Sequence, residues 1–304
     1  MVEVSERDDP WILDLYALRH PRNFRSLQLV WRAEDGSSST AWLLVPPGPP
    51  PHPTVLVFPI LAGSHVVSQA LARALLARGY AVARLERSPL ELETAEDPAG
   101  PLASFVNAVR EARRLLGWLE TRPEVDSGRL ATAGVSLGGV MAATLMGMEP
   151  ERIRAGFFAM AGGGLPEILY DSTETPVRDF RDRLREREEL GSREAFLERI
   201  RPASDDVDPL RWSGAIRPDR VLLVSGRFDQ VMPPERTRAL WEALGRPEWI
   251  ELPVGHYQLA PFFWYSAGKA ADHFDRVLGS DRAVRALDAS EQSRHSPAPP
   301  PEAR

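Results

Sequence analysis

Ser136 lies in the stretch Gly134-Val135-Ser136-Leu137-Gly138-Gly139. The apolar run Arg129 to Ala133 precedes it and reads as a buried strand. Val140 to Met146 follows and reads as a helix. A serine between two glycines at a strand-to-helix turn fits the pattern G-x-S-x-G, which presents a hydroxyl nucleophile clear of the sheet edge. The glycines have a physical reason. The chain reverses so sharply that the serine backbone is strained, and side chains two residues either side would strike the neighbouring strand or helix. The hydroxyl also stands at a helix N-terminus, where developing negative charge is favoured.

A serine hydroxyl is a weak nucleophile at neutral pH. It needs a base within hydrogen-bond reach, and the base needs an orienting acid. The chain has six histidines. His20 and His52 fall in N-terminal loops, His295 in the C-terminal tail, His273 inside the last helix, and His65 at the opening of a helix. His256 is different: in Leu252-Pro253-Val254-Gly255-His256-Tyr257 it follows the final strand, at the sheet edge that also carries Ser136. It is the expected base. The expected acid is Asp229, where the strand Val221 to Ser225 runs into Gly226-Arg227-Phe228-Asp229. Asp205, Asp206 and Asp208 are rivals, but they do not directly follow a strand and read as caps or solvated groups.

The surrounding elements must hold these groups at one edge. Leu27 to Arg32 and Thr40 to Val45 read as an antiparallel hairpin around Asp35-Gly36-Ser37, after an aromatic-rich segment, Trp11 to Tyr16, that is expected to dock on the body. The proline-rich connector Pro46 to Pro53 reads as a surface loop. From Thr54 strands and helices alternate: strands at Thr54–Phe58, Tyr80–Leu85, Leu130–Gly134, Ile153–Met160, Val221–Ser225 and Trp249–Leu252, and helices at Ser64–Arg78, Leu102–Glu120 and Pro261–Leu278. That rhythm implies a mostly parallel sheet covered by helices on both faces. About 60 residues between Met160 and Val221 break it. The charged stretch Arg178 to Arg201 within them reads as one or two helices inserted above the sheet, because a structureless loop of that length is improbable. Gly162 to Gly164 read as a flexible entry to this insertion. The organisation expected is an N-terminal segment and hairpin over 1–53, a catalytic domain over 54–278 with an insertion at about 163–219, and a disordered tail over 279–304.

Three stretches in order, Gly134-Val135-Ser136-Leu137-Gly138, Ser225-Gly226-Arg227-Phe228-Asp229 and Gly255-His256, resemble the α/β-hydrolase superfamily over roughly Thr54 to Leu278. Within it the chain is similar to dienelactone-hydrolase-like and prolyl-oligopeptidase-like esterases. The resemblance implies a mostly parallel, helix-flanked α/β-hydrolase sheet with an N-terminal antiparallel hairpin and a small helical lid. It implies a Ser136–His256–Asp229 triad and an oxyanion hole from the backbone N–H of Leu137 and of Leu61, with Ile60 beside it. Two stretches depart from the family. Pro59-Ile60 stands where many relatives carry His-Gly. Arg84-Leu85-Glu86-Arg87 stands where relatives often have Asp-x-Arg-Gly, and its Glu86 and Arg87 read either as pocket rim or as a surface ion pair. Tyr257, Phe262, Phe263, Trp264 and Tyr265 either wall an acyl pocket or pack a helix on the sheet, while Met141 and Met146 read as core.

The reaction implied is cleavage of a carboxylic ester or related small-molecule acyl compound through an acyl-enzyme, without metal or cofactor. Thioester hydrolysis, acyl transfer and peptide cleavage use the same triad. Peptide cleavage ranks lower because about 50 residues before Thr54 cannot hold a propeller. A catalytically silent binding protein on the same fold is the remaining reading, favoured only by Pro59-Ile60. The 304 residues carry a net charge of −6 with no basic block, which argues against nucleic acid as a partner. The absence of cysteine excludes disulfides and thiolate chemistry. The acidic N-terminus lacks the apolar core of a signal peptide, and no apolar run is long enough to span a bilayer, so a cytoplasmic location is expected. Oligomeric state is left open.

Overall fold

The computed structural model describes residues 2–6, 24–32, 38–61, 65–86, 92 and 99–279. The Trp11–Tyr16 segment, the hairpin turn at Asp35–Ser37, Arg87, His20, His295 and the tail beyond Gly279 lie outside the described residues.

Among the described residues nine strands form one sheet, in the order β1-β2-β3-β5-β4-β6-β7-β8-β9. The strands β1 (Glu3–Glu6), β2 (Arg25–Arg32) and β3 (Ser38–Val45) run antiparallel, and β3 meets β5 (Ala81–Leu85) antiparallel as well. The rest is parallel: β5, β4 (His52–Val57), β6 (Val125–Val135), β7 (Ile153–Ala159), β8 (Val221–Gly226) and β9 (Glu248–Leu252). This is the mostly parallel sheet with an antiparallel N-terminal edge that the residue pattern implies.

Strand periodicity accounts for two separate cores. Alternate side chains point to opposite faces. On one face Leu56, Ala83 and Leu130 pack with α2 (Ala99–Leu119), α3 (Leu137–Met148) and α8 (Pro234–Ala243). On the other, Val55, Val82 and Ala131 pack with α1 (His65–Leu76) and α9 (Phe263–Leu278). In α3 every residue from Gly138 to Gly147 is buried, as expected of a helix that is apolar all round. Its one hydroxyl there, Thr144, donates to the carbonyls of Val140 and Val207.

The acidic N-terminus carries a strand that the residue pattern does not announce: Glu3–Glu6 pairs with β2, and its charges suit an exposed edge. One N-terminal expectation is corrected. The connector does not run to Pro53 as a surface loop, since His52 and Pro53 are buried and begin β4, a central strand. Pro53 is tolerated because the ladder to β6 slips there, from His52↔Val125 to Thr54↔Leu130, so its missing N–H falls at an irregularity. His52 is therefore a strand residue; its backbone N–H donates to Glu124 O at 2.8 Å.

Between β7 and β8 lie four helices: α4 (Leu165–Asp171), α5 (Thr175–Arg187), α6 (Arg193–Ser204) and α7 (Pro209–Trp212). Helices α5 and α6 account for the charged stretch. They share a third core, in which Val177, Phe180, Leu184, Phe196 and Ile200 meet Leu92 and Leu102. Their sparse apolar positions suffice because only one stripe of each is covered. Asp208 ties this layer together. Its carboxylate accepts from the backbone N–H of Gly164 at 3.0 Å, of Leu165 at 2.5 Å and of Leu210 at 2.9 Å. The expected flexible entry is instead tightly packed: a Cβ on Gly162 would lie 2.7 Å from Met232 Sδ, and one on Gly163 would lie 2.5 Å from Leu210. Among the described residues no helix is long and apolar enough to cross a membrane.

His273, buried in α9, uses both ring nitrogens when neutral. Nε2–H donates to the Arg220 carbonyl oxygen at 3.0 Å, and Nδ1 accepts from Arg276 Nη2 at 3.0 Å. Burial first, and then the Arg276 charge, hold its pKa below the ordinary histidine value. The unfolded chain therefore takes up this proton at a higher pH than the folded one. The stabilising difference is present above the unfolded pKa and is lost as pH falls through it toward the folded value. Between about pH 7 and about pH 5, straddling a free histidine's titration, the thermal midpoint of the wild type should fall further than that of His273→Gln. Parallel curves would remove His273 from the acid response.

Candidate active site

Ser136 ends the turn between β6 and α3 with φ 56° and ψ −128°, a left-handed conformation uncommon for a residue with a side chain. The turn is held from both ends. Ser136 N–H donates to Ala159 O at 2.8 Å, and the Ser136 carbonyl accepts from Gly139 and Val140 N–H at 2.8 and 3.1 Å. A Cβ on Gly134 would lie 2.1 Å from Gly138 O, and one on Gly138 would lie 2.7 Å from Phe58 O. Both positions therefore require glycine for space.

His256 follows β9, and Asp229 follows β8. Backbone bonds lace the two loops: Arg227 N–H donates to Leu252 O at 2.8 Å and Phe228 N–H to Val254 O at 3.0 Å. Gly226 permits that approach, since a Cβ there would lie 2.4 Å from Val254 O. As a result His256 Nε2 lies 3.0 Å from Ser136 Oγ, and His256 Nδ1 lies 2.7 Å from Asp229 Oδ2. The second carboxylate oxygen of Asp229 accepts from Val231 and Met232 N–H at 2.9 and 2.8 Å. With its side chain only 2% exposed, the aspartate is fixed in direction before it meets the imidazole.

Leu137, the first residue of α3, and Leu61, in the loop after β4, line the same cavity as Ser136 and His256. Ala62 to Ser64 of that loop lie outside the described residues. The cavity measures about 450 Å³. Among the described residues no cluster of three or more His, Asp or Glu side chains could hold a metal ion. The rivals Asp205, Asp206 and Asp208 are not brought to Ser136; Asp208 caps α7 and the start of α4.

The sequence matches the model of the prolyl oligopeptidase family over residues 107–249. Among solved structures, an acetyl xylan esterase from Paenibacillus sp. R4 is 17% identical and superposes with a TM-score of 0.65, covering 87% of each chain. Acetyl xylan esterase 1 from Thermoanaerobacterium sp. JW/SL YS485 is 18% identical, with a TM-score of 0.65 over 88% of this chain and 87% of that one. A puromycin hydrolase is 22% identical with a TM-score of 0.62, covering 83% of this chain and 39% of its own longer chain. These likenesses show the α/β-hydrolase fold. No curated protein sequence matches significantly.

Within this fold the aromatic cluster after His256 divides. Tyr257 and Phe263 line the cavity, whereas Phe262, Trp264 and Tyr265 are exposed at 40%, 45% and 49%. Helix α9 packs on the sheet through Ala267, Ala270, Ala271 and Phe274 instead, so most of the cluster is not core. Met141 and Met146 are core. Glu86 is neither rim nor simple surface pair: it accepts from Trp42 Nε1 at 2.7 Å and lies 3.7 Å from the fully buried Arg84.

Two features escaped the sequence reading. The N–H groups that hold Asp229 were legible as an aspartate bonding the backbone two and three residues on, ahead of Pro233-Pro234. Glu174 had no signal, being one acid among many in the charged insertion. It accepts a hydrogen bond from the Tyr257 hydroxyl, and desolvation of that hydroxyl together with this bond pushes the phenol up to about 12.

The glycine contacts make a direct prediction. Gly134→Ala should destabilise the fold by about 3 kcal/mol, the upper range for overpacking, read from urea unfolding. Gly191→Ala, where an added Cβ meets nothing within 4 Å, should shift it little. Equal effects would show that the elbow has room to relax.

Proposed function

We propose that this chain is a serine hydrolase that cleaves a carboxylic ester through an acyl-enzyme. The observation that carries the reading is the continuous chain from Ser136 Oγ through His256 to Asp229, at 3.0 and 2.7 Å. Ser136 attacks the ester carbonyl while His256 Nε2 takes its proton. Asp229 holds Nδ1–H toward itself, which keeps Nε2 as the acceptor and stabilises the imidazolium. The tetrahedral oxyanion faces the N–H of Leu137 at the start of α3 and that of Leu61. Collapse expels the alcohol, protonated by His256. Water then attacks the acyl-enzyme with the same histidine as base.

The acetyl xylan esterases support the ester reading by fold. The match to the prolyl oligopeptidase model favours peptide cleavage as the second reading. Thioester hydrolysis and acyl transfer require no different triad. Esters and amides of one acid, assayed side by side, separate the readings: the ester reading requires ester turnover to dominate.

A fluorophosphonate probe should label the wild type and fail on Ser136→Ala, with the variant's thermal midpoint retained. Labelling of Ser136→Ala would place the nucleophile elsewhere. Asp229→Asn should lower kcat by roughly 10³–10⁴-fold, as expected when the imidazole is held in the wrong tautomer.

A further inference from the structure

The cavity at Ser136 lies between two differently built walls. Val135, Ser136, Leu137 and Val140 form the wall at the elbow. Leu92 and Leu102, with Val177 and Phe180 of α5, form another, all of them members of the third core, with Leu61 and Leu169 packed against it. The space therefore runs from the serine into the seam between sheet and insertion. Among the described residues lining it, Glu174 is the only carboxylate, and no lysine or arginine is present. Glu174 is engaged by the Tyr257 hydroxyl. Beyond that pair and the serine and histidine, Ser172 is the only polar side chain on the described walls. Its hydroxyl, just past the end of α4, accepts from Glu174 N–H at 3.2 Å, at the start of α5. Such walls offer sugar hydroxyls almost nothing to bond, and burying those hydroxyls unpaired is costly. They suit an extended apolar group.

Size sets the second limit. At roughly 30 Å³ for each water-sized group, about 450 Å³ holds on the order of fifteen non-hydrogen atoms. An acetyl group would leave most of that apolar space unused.

Resting on the serine-hydrolase reading, we propose that the substrate is an ester bearing one extended apolar group, of medium chain length or an aryl equivalent, seated between the elbow and helices α4 and α5. Each methylene withdrawn from water contributes about fourfold in transition-state binding when it is fully buried. The apolar group can enter as the acyl or the alcohol part, and two ester series tell them apart.

The test takes the wild type and Leu169→Trp, which fills part of the seam. In the first series, p-nitrophenyl esters run from acetate to palmitate below their aggregation limits. In the second, acetate esters of straight-chain alcohols span the same lengths. In one series kcat/KM should rise at least about 100-fold from two to eight carbons, then fall at the longest chains. Leu169→Trp should cut that eight-to-two ratio by about tenfold. Fluorophosphonate labelling of Ser136 in both proteins separates the failures. Labelled protein with the shortest chain preferred in both series, or with a ratio that Leu169→Trp does not move, overturns this inference and leaves the hydrolase reading standing. Folded wild type that is not labelled overturns both.

Discussion

The contact between Gly134 and Gly138 across the Ser136 turn is the constraint on which the rest depends. The backbone there comes so close that Gly134 has no room for a side chain, the carbonyls of Phe58 and Pro59 leave none at Gly138, and Ser136 is held at φ 56°. Left-handed backbone in a residue with a side chain costs on the order of 1–3 kcal/mol and persists only where its surroundings over-determine it. Here they do. Strand β7 takes the Ser136 N–H, the first turn of α3 takes its carbonyl, and the loop after β4 closes over Gly138. Parallel order in the sheet is what makes this possible, because β6, β8 and β9 all deliver their C-terminal ends to one edge. Serine, aspartate and histidine, spread over 120 residues of chain, then need only short loops to meet.

The insertion is a second layer with its own core, yet it is tied to the sheet at several points. Asp208 gathers three backbone N–H groups from two helices at its base. At its inner edge, Thr173 N–H donates to Gln230 O at 3.1 Å, beside Asp229, and Glu174 receives the hydroxyl of Tyr257, beside His256. The segment leading into α5 is therefore anchored to both the acid loop and the histidine loop. A displacement of α5 would act on the groups that aim the imidazole as well as on the cavity wall. Cavity shape and side-chain alignment are coupled through two short contacts.

Legibility in the sequence followed the range of the interaction that decides each feature. The elbow was readable because a local steric rule demands Gly134 and Gly138 at fixed spacing. Asp229 and His256 were readable as loop residues after apolar runs at one sheet edge. The strand at Glu3–Glu6 was not, because four residues, two of them glutamate, form a strand only when an edge such as β2 is there to pair with. Pro53 misled for a related reason: a proline is excluded from a regular ladder, but here the ladder slips at that residue. The aromatic run after His256 was ambiguous because one turn of helix can present its rings to the cavity, to solvent or to the sheet. Glu174 is legible only in three dimensions, where one carboxylate among many meets a tyrosine hydroxyl.

These ranges also bear on how far the likeness to other structures reaches. At 17–18% identity, what the likeness to the acetyl xylan esterases shows is the fold, the part of this chain fixed by backbone pairing. The cavity depends on something else: which apolar side chains of α4, α5 and α2 face the elbow. Those positions obey only a loose requirement to be apolar and to fill space, so they can change without disturbing a strand or a triad distance. On the proposed reading, reaction type and substrate rest on different parts of this chain: the first on a turn with no room for a side chain at Gly134 or Gly138, the second on a seam between two cores whose apolar residues need only fill space.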